Sequence, residues 1–143
     1  MSDQNQIHFF KPMDVGPREW GREILVAHIP GIAIGKLILQ YAGKKGGLQK
    51  HHLKNESHFL AQGEMIVRYD AGDGTLTEKI IIAGESVHIP PGVAHQTEAI
   101  TDCVIFETST PHFNDRVRME AYYGLPVSHG GLPSTNLEDV ETR

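Results

Sequence analysis

The sequence predicts one all-β domain, a sandwich or barrel, on three observations. Short runs rich in β-branched and aliphatic residues recur along the chain. Gly, Pro or Asp separates most of them. No segment before residue 113 sustains a helical period. About eight short strands with turn signals between them fit a closed or two-layered β architecture.

The elements follow in order. Residues 23–29 (EILVAHI) and 32–41 (IAIGKLILQY) read as strands split by Pro30-Gly31. Further short runs cover residues 57–62, 64–69, 76–82, 86–89, 95–99 and 103–108. Residues 70–74 (DAGDG) lie between two of these runs and read as a hairpin loop, with glycines available for positive φ. Residues 114–123 (NDRVRMEAYY) predict a short helix capped by Asn114 or Asp115. After Gly124 the chain turns to Pro, Gly, Ser and acidic residues, so residues 125–143 are expected to be a loosely attached tail. The plan is an N-terminal arm over residues 1–19, a barrel over 20–113 and a C-terminal segment over 114–143.

Composition narrows the function. The 143 residues make one domain, and 39% hydrophobic with 22% charged residues is the balance of a globular chain, not a disordered one. Thirteen basic against eighteen acidic residues give a net charge of −5, which disfavours a nucleic-acid partner. No run approaches the length of a membrane span, and the polar N-terminus lacks the basic start of a secretory signal. The lone Cys103 cannot form an internal disulfide, so a reducing, cytoplasmic setting is expected. Nine histidines are many for this length, and His51, His52 and His58 fall within eight residues.

Those histidines introduce the chemistry. Gln49 and His51 are two apart, so on a strand they share a face. Glu56 follows, and a second stretch, GESVHIPPGVAH, delivers His95. Two imidazoles, one carboxylate and one amide oxygen form a mixed N/O set suited to one divalent Zn, Mn, Fe, Co or Ni ion, with positions left open for water or substrate.

At these residues the sequence resembles the cupin superfamily. Gly43-x5-Gln49-x-His51-x4-Glu56-x6-Gly63 has every spacing of the first cupin motif, with glutamine in place of its first histidine. Gly84-x5-Pro90-x-Gly92-x2-His95 follows the second motif, with Ala99 where an asparagine is usual. The resemblance implies a double-stranded β-helix (jelly-roll) barrel whose metal ligands are Gln49, His51, Glu56 and His95. A narrower likeness is to the cupin domain of type II mannose-6-phosphate isomerases. It rests on Trp20-Gly21, on Leu48-Gln49-Lys50-His51-His52 with Glu56, and on residues 114–120 (NDRVRME) followed by Tyr123-Gly124. Leu53, Ser57, His58 and Leu125 depart from that pattern, and 143 residues leave no room for the guanylyltransferase domain such chains often carry. The resemblance implies a metal-dependent isomerase or epimerase acting on a sugar or sugar phosphate. A non-haem metal-dependent dioxygenase and a non-catalytic carbohydrate sensor are the alternatives.

Other residues take expected places. His58 shares the parity of Glu56 and should point inward, as a hydrogen-bonded core histidine or as a proton shuttle. Lys36 lies in an apolar run, at a lysine position of the isomerase pattern, and either faces outward or turns inward as a base or anion ligand. Lys54, with Lys44, Lys45 and Lys50, crowds the ligand segment, on a solvated face or as a guide for an anionic substrate. Arg118 either pairs with Glu120 to clamp the C-terminal segment or binds substrate. His52, of opposite parity to His51, is expected at the surface, and Cys103 in the core. Trp20 and Tyr41 are expected in the core or at the rim, where they would offer a sugar-stacking surface. The expected partner is a small molecule, a carbohydrate or other small oxyacid. A homodimer pairing through edge strands is expected as well.

Overall fold

A computed structural model describes residues 5–127 and 134–141. Among these, eleven strands run in order: β1 (Met13–Arg18), β2 (Gly21–Ile29), β3 (Ala33–Gln40), β4 (Gln49–His51), β5 (Glu56–Gln62), β6 (Glu64–Asp70), β7 (Leu76–Ile82), β8 (Ser86–Ile89), β9 (His95–Ala99), β10 (Cys103–Ser109) and β11 (Arg116–Arg118). They form two antiparallel sheets, β1-β2-β3-β10-β5-β8 and β11-β4-β9-β6-β7. The all-β expectation holds, and eight of the strands, β2, β3 and β5 to β10, fall on or beside the apolar runs.

Alternation along the strands builds the interior. On β10, Cys103, Ile105, Glu107 and Ser109 are buried; on β5, Glu56, His58 and Leu60 are. Antiparallel pairing sets Ile105 across Leu60, Glu107 across His58 and Ser109 across Glu56. On the other side of β10, Ile38 lies opposite Ile105 and Lys36 opposite Glu107. One end of the barrel is therefore an apolar cluster of Ile38, Leu60, Met65, Val67, Ile81, Ala99, Cys103 and Ile105. The other end is charged. The turn Gly63 joins β5 to β6 at φ 98°, and a Cβ there would stand 2.4 Å from the Asp102 carbonyl oxygen, so glycine is required.

Three expectations about the flanks change. The N-terminal arm contains β1, which pairs antiparallel with β2 and widens the sheet. MDVGPR hides this strand because Gly16 and Pro17 read as a break, and the register does shift between Asp14 and Pro17. The helix expected over residues 114–123 is instead β11 followed by a 3₁₀ turn, Ala121–Tyr123. The edge of β4 supplies the reason: Arg116, Val117 and Arg118 pair with His51, Lys50 and Gln49, and this pairing overrides local helix propensity. The tail is attached where it is described. Thr135 donates its backbone N–H to the Arg116 carbonyl at 2.7 Å, and the Arg118 N–H donates to Ser134 Oγ at 2.8 Å. No described helix is long and apolar enough to cross a membrane.

Candidate metal centre

Three strands and one loop deliver the site. β5 turns Glu56 and His58 inward, β4 carries Gln49 and His51, and β9 starts at His95, opposite Gln49. One ligand atom from each of His51, Glu56 and His95 lies within 4.8 Å of the others, and all three residues are buried.

The imidazoles are aimed. His95 Nδ1 lies 2.9 Å from the Val93 carbonyl oxygen, which can only accept, so this nitrogen carries the proton. Its Nε2 lone pair then faces Glu56 Oε1 at 2.9 Å. His51 is held likewise, with Nδ1 donating to Asp115 Oδ1 at 3.1 Å. Its Nε2 is 3.8 Å from Glu56 Oε1, buried and without a hydrogen-bond partner. Two nitrogen lone pairs turned on one carboxylate repel unless a proton or a cation sits among them, and a carboxylate behind an imidazole is how metal-binding histidines are oriented. The donor set fits a divalent ion.

The charges reinforce this reading. Burial pushes His51 below its ordinary value, toward the neutral imidazole a metal needs. Burial opposes ionisation of Asp115, but His51 and the backbone N–H groups of Leu53 and Lys54 hold it at about 2. Glu56 stays well below its ordinary value against burial, chiefly because of Lys54.

Lys54, expected to meet substrate, has its ammonium committed to protein, 3.2 Å from Glu56 Oε2 and 3.3 Å from Glu107 Oε2. Burial opposes its charge, and the two carboxylates outweigh burial and raise its pKa. It orients Glu56. Lys36 does turn inward, but it reaches Glu23 at 2.9 Å and stands 4.0 Å from Glu107. His58 points inward with Nε2 3.2 Å from Glu107 Oε1 and 3.6 Å from Glu56 Oε2, off the line of a full hydrogen bond. Burial disfavours its protonation, yet Glu107 and Glu56 raise its pKa to about 10.

Arg118 satisfies one expectation and borders on the other. It forms an ion pair with Glu120, whose Oε1 accepts from the Leu48 N–H at 3.2 Å, and it also lines a cavity at the centre. That cavity, about 120 Å³, is bounded by Trp20, Gln49, Glu56, His58, His95 and Arg116, among others. A second, about 250 Å³, is reached past Lys36, His51 and His112, and shares Arg18, Glu23, Gln49, Glu107 and Arg116 with the first. His52 is half-buried with its Nε2 covered, not at the surface as expected. Cys103 is in the core; Tyr41 is exposed.

Sequence reasoning passed over Glu107, Asp115, Arg116, Arg18 and Glu23. Glu107 had a signal, since it shares parity with Cys103 and Ile105. The others depend on pairings that no local pattern announces.

No protein-family model matches the sequence, and no curated protein does. Solved structures match in fold. The capsular polysaccharide assembling protein CapF from Staphylococcus aureus superposes with a TM-score of 0.63 at 18% identity, over 94% of this chain and 32% of its own. An oxalate decarboxylase gives 0.62 at 17% identity, over 76% and 30%. KdgF from Halomonas sp. gives 0.54 at 17% identity, over 63% of this chain and 77% of its own. The chain thus spans about a third of the CapF chain. These neighbours are cupin-fold proteins, and the likeness shows that the barrel is the cupin jelly roll.

Proposed function

We propose that this protein binds one divalent metal ion through His51, Glu56 and His95, with the Gln49 amide as a further donor, and isomerises or epimerises a small sugar or sugar derivative. One observation carries the metal: both histidines have Nδ1 tied to acceptors, leaving both Nε2 lone pairs on the Glu56 carboxylate. The sugar reading is supported by the isomerase-like residues at Trp20-Gly21, Leu48 to His51 and Asn114 to Glu120. The neighbouring CapF, a capsular polysaccharide assembling protein, belongs to the same chemistry of carbohydrates.

A divalent ion held there supplies Lewis-acid polarisation of an adjacent carbonyl and hydroxyl. The chain does the rest. Lys54 and Asp115 fix Glu56 and His51 from behind. His58, which lines the cavity and is backed by Glu107, is our candidate to carry a proton between neighbouring carbons. Lys36 stands farther off and balances Glu23 and Glu107. Trp20 gives the cavity a flat apolar wall.

Metal analysis of the purified protein tests the first half. The expected result is about one ion per chain, lost in His95→Ala and held about 10–100-fold more weakly in Asp115→Asn. Full metal retention in His95→Ala would sink the assignment. A panel of aldoses, uronates and sugar phosphates tests the second half. Turnover abolished in His58→Gln supports it. Oxygen uptake by the iron-loaded protein points to a dioxygenase instead, and tight binding without chemical change to a sensor.

A further inference from the structure

Arg18, Arg116 and Arg118 all line the cavity that Glu56, His95 and Gln49 border. Two of them have protein partners: Arg18 pairs with Glu23 at 3.2 Å, and Arg118 pairs with Glu120. Arg116 is in no ion pair among the described residues, and its Nε is covered yet donates to nothing there. A buried donor left unmatched is a standing cost, and a guanidinium presents its donors as a fork shaped for an oxyanion.

The position is built. Arg116 and Arg118 are two apart on β11 and so share a face. β4 pairs with their strand on one side, and Ser134 and Thr135 bond to it on the other. The backbone carrying the fork is therefore fixed from both edges.

The charge count agrees. Around the two cavities Arg18, Lys36, Lys54, Arg116 and Arg118 stand against Glu23, Glu56, Glu107, Asp115 and, beside Arg118, Glu120. These permanent charges balance and a protonated His58 adds one more positive, so a divalent ion leaves the interior clearly positive, and an anion entering with the substrate offsets it.

We propose that Arg116, flanked by Arg18 and Arg118, is an oxyanion subsite, and that the substrate is a sugar bearing a carboxylate or a phosphate and not a neutral sugar. This deepens the metal-site reading and rests on it for the reaction, though not for the binding.

Trp20 is the only tryptophan in the chain and lines the same cavity, so its fluorescence reports occupancy. The full chain, metal-loaded and metal-free, is titrated with D-galacturonate, its neutral methyl ester, D-mannose 6-phosphate, D-mannose and inorganic phosphate. At least one sugar acid is expected to saturate about 10-fold or more tighter than its neutral counterpart, and salt is expected to weaken it. Arg116→Gln is expected to weaken that acid by about 10–100-fold and leave the neutral sugar unmoved. Arg116→Lys, which keeps the charge but not the fork, falls between, and thermal unfolding of both variants checks that they fold. The tighter of the uronate and the sugar phosphate identifies the anion.

Three results overturn the proposal: neutral sugars binding as tightly as acids, acid binding untouched in Arg116→Gln, or inorganic phosphate binding where no sugar acid does, an adventitious ion only. Failure to take up metal sinks the proposed function alone. The preference for acids in the metal-free protein still decides the subsite.

Discussion

The two ends of the barrel interior are built on the same strands by the same alternation, and they hold opposite contents. On β10 the inward series runs Cys103, Ile105, Glu107, Ser109; on β5 it runs Leu60, His58, Glu56. Two residues along a strand, roughly 7 Å, separate a hydrocarbon core from a lysine clamped between two carboxylates. Pleat geometry alone dictates which residues point inward. What they do there depends on whether cations and anions from other strands meet them. Leu60 needs only to be apolar and of the right size. Glu107 needs Lys54 from the loop after β4, His58 from β5 and Lys36 from β3. The apolar end stabilises the fold, and the charged end carries the candidate site.

The largest effect should come from breaking the charged end. Glu107→Leu leaves Lys54 with a single carboxylate in a buried site, and the loss of one partner of a buried pair costs about 3–5 kcal/mol. Adding Lys54→Met should recover part of that stability, because it removes the stranded ammonium but leaves buried Glu56 with only His58 and His95 beside it. Urea unfolding of the wild type, the single and the double variant measures this. A double variant no more stable than the single would show that the network carries the fold and not the chemistry.

Next comes Leu60→Ala at the apolar end. Leu60 is fully buried, and removing its side chain should cost about 2–5 kcal/mol through lost contacts and the cavity left behind. Metal content should stay at the wild-type level at a temperature where the variant is folded. A proportional loss of bound metal would mean that the two ends are not separable. Together the two substitutions ask whether stability and metal binding divide along the barrel.

The same division explains what the sequence made legible. The apolar runs located strands β2, β3 and β5 to β10, since burial of alternate residues leaves a local trace. The candidate ligands were legible because the motif spaces Gln49, His51, Glu56 and His95, and the structure brings His51, Glu56 and His95 together; strand parity placed His58 inward. The supporting charges left no such trace. Asp115 matters through His51, which is 64 residues away in sequence, and Lys54 matters through Glu107, which is 53 residues away. Arg116 and Arg118 lie in a stretch with good helix formers that becomes a strand only because β4 has a free edge. Lone local propensities cannot report a pairing decided by a distant partner.

The smallest expected effect is one of pH, and it is confined to the charged end. Glu107 is held at about 2 instead of its ordinary 4.5, with burial opposed first by Lys54 and then by His58. A carboxylate depressed in the folded state contributes stability that is complete above the unfolded value and lost as the pH falls from 4.5 toward 2. One proton limits the slope to about 1.4 kcal/mol per pH unit. Wild type should therefore lose stability across that window more steeply than the Glu107→Leu/Lys54→Met double variant, by up to one proton's worth. Above pH 5 the two curves should run parallel. Leu60→Ala should follow the wild-type slope throughout, only lower, because it removes packing and no titrating group. Unfolding free energies from urea titrations between pH 2 and 7 give the slopes. Equal slopes in wild type and double variant would mean that Glu107 is not the group gaining the proton, and that the charged end is neutralised through Asp115 or Glu56 instead.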